Sequence, residues 1–314
     1  MIETHSLRKT FKSRRGLVDA VAGVDLDVKK GEIFGFLGPN GAGKTTTLRM
    51  LSTLLPPTSG EATVAGFDLR REPAKVRYEI GYVSQAGSSA PEVAGRTELV
   101  MQGRLYGMSK ARALDRASEL IASLELSDCA DRATKTYSGG QKRRLDIGIG
   151  LMHLPQLLFL DEPTTGLDPQ SRARMWDEVR HLRDNGTTVF LTTHYLEEAD
   201  ALADRIAIID HGKIVALGTP DELKRQVAGD VVVVGTDNAG ERVLALLEGQ
   251  PFVREATQSD QVVRLYVDRG ETAMPQIIRA LDAAGIPLAS LSLNRPSLDD
   301  VFLRQTGRSL REAA

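Results

Sequence analysis

The residues Gly38, Pro39, Asn40, Gly41, Ala42, Gly43, Lys44 and Thr45 fit the pattern G-x-x-x-x-G-K-[ST]. Glycine backbone lets successive N–H groups turn inward around a phosphate. A helix starting just behind the loop adds partial positive charge at the same point. Lys44 is long enough to reach β- and γ-phosphates, and the Thr45 hydroxyl, with Thr46 beside it, suits a magnesium ion. The flanks supply the required context, with the apolar run Ile33 to Leu37 ahead and the helix-forming stretch TTTLRMLSTLL behind. A glycine-rich turn with a chance lysine is the plainer reading, and these flanks argue against it.

A second chemical signal lies at 157–163, where Leu157-Leu158-Phe159-Leu160 runs straight into Asp161-Glu162-Pro163. Two carboxylates ending a buried strand are costly without a task. Asp161 suits coordination of magnesium through water. Glu162, one residue further, is placed to orient and polarise a water attacking a γ-phosphate. Acidic strand ends that merely meet solvent are common; the phosphate loop elsewhere in the chain favours the chemical reading.

The elements that must position these groups alternate along the chain. Apolar runs at 33–37, 80–83, 157–160, 187–193 and 205–209 are separated by helical periodicity, which predicts a mostly parallel sheet covered on both faces. Such sheets bind ligands at the carboxyl ends of their strands. One predicted helix places Leu114, Ala117, Ile121 and Leu124 on a single face. The stretch from about 90 to 155 has helix signal and little strand signal, so a helical insertion into the sheet domain is expected there.

The pattern changes near residue 229, and no lysine occurs beyond it. The segments 231–234, 239–247, 252–256, 261–267, 272–284 and 287–294 read β-α-β-β-α-β, the ferredoxin-like order. The expected domains are therefore 1–228 and 229–314, the second closing with a short helix near Ser297 to Gln305 and a fraying tail, GRSLREAA.

The 314 residues carry 40 basic and 42 acidic side chains, a net charge of −2, which gives no sign of a nucleic-acid surface. The cluster Lys142-Arg143-Arg144 is accordingly read as spread around a solvated helix. Cys129 is the one cysteine, which excludes an intrachain disulfide and a cysteine-rich metal site. His5, His153, His181 and His211 lack metal-ligand spacing. No stretch approaches the roughly 18 unbroken apolar residues of a membrane span. The opening MIETHSLRKTFKSRRG lacks the apolar core of a secretion signal, so a cytoplasmic location is expected.

Between the two chemical motifs stands Tyr137-Ser138-Gly139-Gly140-Gln141. Ser138 and the N–H groups of Gly139 and Gly140 at a helix start make a second anion site. This pentapeptide closely resembles the signature motif of ABC-type ATPases, usually Leu-Ser-Gly-Gly-Gln. Further marks follow in order: Gln85, after Ile80-Gly81-Tyr82-Val83-Ser84, resembles the Q-loop glutamine; Gly166-Leu167-Asp168 resembles the D-loop; and His194 resembles the switch histidine. Within that superfamily the chain resembles the ATPase subunits of daunorubicin-resistance-type drug exporters. The stretches that carry this are Tyr106-Gly107, 138–145, Leu167-Asp168-Pro169, 192–199, Ser297 to Phe302 and Thr306-Gly307-Arg308.

The resemblance implies an α/β fold of the P-loop NTPase, ABC ATPase type over 1–228, with a mostly parallel sheet core, an antiparallel β subdomain and a helical subdomain. A small α+β ferredoxin-like domain follows, as a stabilising or dimerising appendage or as a ligand sensor. It implies ATP with magnesium as the cofactors. Glu162, His194, Gln85 and Lys44 are the implied catalytic groups. The implied nucleotide contacts are residues 38–46, the signature residues Ser138, Gly139, Gly140 and Gln141, and Asp168. Thr45, Gln85 and Asp161 are the implied magnesium ligands. Phe11 either packs in an antiparallel sheet or stacks on adenine. In that family two subunits sandwich two ATP molecules head to tail. A homodimer is thus expected, at the cytoplasmic face of the membrane, with a separate membrane permease docking near residues 86–110 and without nucleic acid. The cargo is a drug or antibiotic, or alternatively a lipid, polysaccharide or ion. A soluble ABC ATPase without a transport role is the remaining alternative.

Overall fold

A computed structural model of the chain describes residues 1–13, 16–227, 230–235, 240–259, 262–294 and 297–306. The tail GRSLREAA, with Gly307 and Arg308, lies outside the described residues. The chain divides into two compact units between Thr219 and Pro220.

The first unit opens with a long hairpin, β1 (Ile2–Ser13) and β2 (Gly16–Val28). There follow β3 (Ile33–Leu37), α1 (Lys44–Leu51), β4 (Ser59–Val64), β5 (Phe67–Asp68), α2 (Pro73–Glu79) and β6 (Ile80–Val83). The expected helical insertion comprises α3 (Gly95–Leu105), α4 (Lys110–Ser123), a 3-10 turn (Thr134–Thr136) and α5 (Gly139–Leu151). The chain then returns through β7 (Leu157–Asp161), α6 (Pro169–Asp184), β8 (Thr188–Thr193), α7 (Leu196–Leu202), β9 (Arg205–Asp210) and β10 (Lys213–Gly218).

Strands β2-β1-β4-β5 form an antiparallel sheet, and a six-stranded sheet runs β10-β9-β3-β8-β7-β6. All its pairs are parallel except β9 with β10. Every residue of β3, β7 and β8 is buried, which explains their unbroken apolar runs. Alternate side chains still divide between two cores. Phe34, Phe36, Phe159 and Phe190 pack with Leu48 and Leu51 of α1 and with the antiparallel sheet. Ile33, Leu158, Leu160, Val189 and Leu191 pack with the helical insertion and α6.

The face of α4 differs from the expected stripe. Leu114 is exposed, and the buried side is Ala113, Ala117, Leu120 and Ile121. The reason is close approach to α3, since a Cβ on Gly103 would meet the Ala113 methyl at 3.1 Å. Only a small residue fits at 113, so the helix turns that side inward.

The second unit begins with α8 (Pro220–Val227), earlier than the boundary expected at 228, and continues with β11 (Asp230–Gly235), α9 (Gly240–Leu247), β12 (Val253–Ser259), β13 (Val262–Val267), α10 (Gly270–Ala283), β14 (Ser290–Asn294) and α11 (Leu298–Thr306). Its antiparallel sheet runs β12-β13-β11-β14, the ferredoxin-like arrangement. Helix α8 belongs here because it packs on α11, with Leu223, Leu298, Val301 and Phe302 all buried. The Arg304 guanidinium also donates to the Gln226 carbonyl at 2.9 Å.

Phe190 is fully buried, with the rings of Phe34, Phe36 and Phe159 each 5.5 Å away. Phe190→Ala should therefore lower the unfolding free energy of the first unit by about 3–5 kcal/mol in a urea titration. A loss below about 1 kcal/mol would show that the aromatic cluster repacks without a cavity.

Candidate nucleotide site

The turn after β3 has the backbone that its glycines suggest. Gly41 and Gly43 adopt φ values of 80° and 109°, in the left-handed region. Gly38 and Gly43 are also packed against backbone: a Cβ would lie 2.3 Å from the Ile209 carbonyl oxygen at the first and 2.4 Å from that of Ala20 at the second. Pro39 and Ala42 are buried, Asn40 and Gly41 are exposed, and Thr45 and Thr46 are half-buried. Lys44 is buried, and its ammonium donates to the Gly38 and Pro39 carbonyls at 2.8 and 3.1 Å. Burial lowers its pKa, opposed by the charges of Glu162 and Asp161.

Parallel pairing sets Leu37 opposite Thr193 and Asp161 opposite Thr192. The phosphate loop, the acidic pair and His194 thereby share one sheet edge. Asp161 accepts hydrogen bonds on Oδ1 from the Thr192 hydroxyl at 2.6 Å and the Thr45 hydroxyl at 3.2 Å. The two expected magnesium ligands Thr45 and Asp161 are thus in contact. The third, Gln85, donates from Nε2 to Glu162 Oε2 at 2.9 Å.

Glu162 collects the remaining groups. The Thr165 hydroxyl donates to its Oε2 at 3.2 Å, Lys44 Nζ lies 3.6 Å from Oε1, and His194 Nδ1 lies 3.2 Å from Oε2. The His194 contact is close enough for an ion pair but not aligned as a hydrogen bond. Burial works to raise the Glu162 pKa. The His194 contact, the Lys44 charge and the Thr165 hydroxyl outweigh it and hold the carboxyl below its ordinary value. Its backbone is unusual as well, with φ at 46° for a residue that has a side chain. The Glu162 N–H donates to both the carbonyl and the hydroxyl of Thr192, each at 3.1 Å.

The other expected contacts lie apart from this cluster. Ser138 caps α5 in a reciprocal box: its hydroxyl accepts from the Gln141 N–H at 3.2 Å, and its own N–H donates to Gln141 Oε1 at 2.9 Å. Ser138 and Gly139 are exposed. Asp168 caps α6 through the Ser171 N–H and hydroxyl, which hold its carboxyl below the usual range. Phe11 is exposed on β1, paired with Val18 across the hairpin, with the Lys9 ammonium 5.3 Å from its ring centre. Among the described residues no printed hydrogen bond joins Phe11, Ser138, Gly139, Gly140, Gln141 or Asp168 to the Lys44–Glu162 cluster.

Two groups escaped the sequence reading. Thr192 joins both acidic residues, a role visible only from strand register. Arg143 is 7% exposed, so the reading of 142–144 as a solvated cluster is corrected at its centre. Asp146, one turn on and equally buried, is the sequence signal that could have shown this face to be internal.

Residues 21–165 match the family model of the ABC transporter ATP-binding domain, and residues 218–306 match that of the C-terminal domain of DrrA1-3-like ATP-binding proteins. The daunorubicin/doxorubicin resistance ATP-binding protein DrrA of Streptomyces peucetius is 47% identical, covering 100% of this chain and 96% of its own. This chain belongs to the DrrA-like family of ABC transporter ATP-binding proteins. The linearmycin resistance ATP-binding protein LnrL of Bacillus subtilis is 37% identical to it over 99% of this chain and 100% of its own. The dimeric ATP-binding cassette MJ0796, in a post-hydrolysis state with ADP and phosphate, superposes with a TM-score of 0.65 at 27% identity, covering 70% of this chain and 98% of that one. As a DrrA-like ABC protein the chain is an ATPase, and ATP is its nucleotide.

The lowered Glu162 pKa makes a statement about stability. The carboxyl stays ionised to lower pH in the folded chain than in the unfolded one, where its value is near 4.5. Its contribution is complete above that value and is lost as pH falls through the lower folded value. Urea midpoints of the parent and Glu162→Gln should therefore differ by a gap that is constant above about pH 5 and narrows toward about pH 3. A gap independent of pH would contradict the assignment.

Proposed function

We propose that this chain is the energy-coupling subunit of an exporter, which binds and hydrolyses ATP to drive a drug or antibiotic through a separate membrane permease. The observation that carries the reading is the gathering of Lys44, Gln85 and His194 on the one carboxylate of Glu162. Glu162 accepts the proton of the attacking water, oriented by Gln85. His194 and Lys44 stabilise charge on the γ-phosphate, and the loop N–H groups of 38–46 cradle the phosphates. Thr45 and Asp161 are hard oxygen donors already in contact and would hold magnesium, with Gln85 joining them. The ion would neutralise charge on the phosphate oxygens.

Two copies close head to tail, with Ser138 to Gln141 of one facing the triphosphate held by Lys44 of the other and Asp168 at the junction. The exposed start of α5 suits that role, and the relative MJ0796 is described as a dimer. Phe11 offers an exposed face to adenine. No helix among the described residues is long and apolar enough to cross a membrane, so cargo passes through another chain and this one works at the cytoplasmic membrane face. Exposed Met101 and Leu105 on α3, and Tyr78 on α2 beside the ring of Tyr106, give that chain an apolar surface near Gln85. Drug or antibiotic cargo is favoured by the resistance names of DrrA and LnrL.

With ATP and magnesium, Glu162→Gln should turn over at least ~100-fold more slowly while still binding nucleotide, and should elute as a dimer in size-exclusion chromatography. Ser138→Arg should bind ATP as a monomer, and Lys44→Ala should bind it poorly. Parent-like turnover in Glu162→Gln would remove the assigned base. A Glu162→Gln chain that stays monomeric, even with its permease supplied, would remove the sandwich.

A further inference from the structure

We propose that Arg143 is a positioning residue for hydrolysis, whose guanidinium fixes the backbone on which both Glu162 and Gln85 are mounted. This rests on the reading of Glu162 as the water-activating base. Arg143 lies on the inner side of α5, the helix that starts at the signature motif. Its Nε donates to the Pro163 carbonyl at 2.8 Å, one Nη to the Asp161 carbonyl at 3.0 Å and the other to the Ser84 carbonyl at 2.5 Å.

The choice of acceptors is what suggests a role. The Asp161 and Pro163 carbonyls are those immediately before and after Glu162, and the Ser84 carbonyl immediately precedes Gln85. Glu162 is held at φ 46°, a region disfavoured for a residue with a Cβ. Such a backbone persists only where its surroundings over-determine it. Here the Glu162 N–H is held by Thr192 from β8, and the flanking carbonyls are held by Arg143 from α5. Among the described residues no carboxylate lies within ion-pair distance of this buried guanidinium. A buried cation set on carbonyls alone is an expensive way to fill space, and its planar fork matches three acceptors as no ammonium can. One turn along α5, Asp146 accepts from the Ser88 N–H, the Ser88 hydroxyl and the Ser89 N–H at 2.9, 3.2 and 3.1 Å. The same helix face thus also holds the segment just beyond Gln85. A tilt of α5, which carries Ser138 at its start, moves Glu162 and Gln85 with it through directional bonds.

The test uses steady-state and single-turnover ATPase assays of the full chain. The variants are Arg143→Lys, which keeps the charge but not the fork, and Arg143→Met, which keeps the bulk. Both should lower kcat by ~10-fold or more, with KM for ATP within about threefold of the parent, because misplacement of a catalytic group acts on the chemical step. The diagnostic measurement is the double variant with Glu162→Gln. Once the carboxylate is gone its position no longer matters, so Arg143→Lys should lower the residual rate by less than about threefold. Parent-like kcat in Arg143→Lys, a raised KM with kcat unchanged, or a full additional loss in the double variant would each overturn the proposal. So would failure of both single variants to fold, since that is a structural role. If Glu162→Gln alone keeps parent turnover, the reading of the base fails first, a result separate from these.

Discussion

Lateral pairing of β3, β8 and β7 is the constraint on which the site depends. The register places Leu37 beside Thr193 and Thr192 beside Asp161, so the phosphate loop, the acidic pair and His194 emerge along one edge. A slip of one residue would reverse the side chains of a strand between the two cores. It would also separate Thr192 from Asp161 and Glu162. That hydroxyl donates to Asp161 and accepts from the Glu162 N–H. One threonine therefore fixes where two consecutive acidic residues point.

The polar edge stands on an apolar base, with the phenylalanines of β3, β7 and β8 beneath it on one side and the leucines of the helical insertion on the other. In such surroundings Lys44 and the two carboxylates would each be unfavourable alone. They are tolerated because opposite charges face one another and the remaining donors and acceptors find carbonyls and hydroxyls. Lys44 is lowered by burial and Glu162 is held down against burial. The balance makes Glu162 a hub through which Lys44, Gln85 and His194 sense one another.

The parts of the fold that were legible in the sequence are those whose backbone or burial restricts residue type. Glycine at 38 and 43 follows from carbonyls within 2.4 Å of a would-be Cβ. Asp161 and Glu162 stand out because they end an otherwise apolar strand. The ferredoxin-like order was visible from alternating short runs and appears in the sheet β12-β13-β11-β14. Other features depend on which surfaces meet, and periodicity alone does not carry that. Ala113 faces inward because Gly103 lets two helices approach, and α8 joins the second unit because α11 covers Leu223. Arg143 was hidden between two solvated basic neighbours, where charge suggests surface and only the three carbonyls around it say otherwise.

The capping box at the start of α5 has a further consequence. A hydroxyl both accepts and donates. In Ser138 the lone pair is engaged by the Gln141 N–H, while its proton has no printed acceptor among the described residues. The same side chain can therefore brace its own helix and greet an incoming oxyanion at once. Docking at this tip needs no unwinding and no rotamer exchange, so the helix arrives already finished, its greeting hand free.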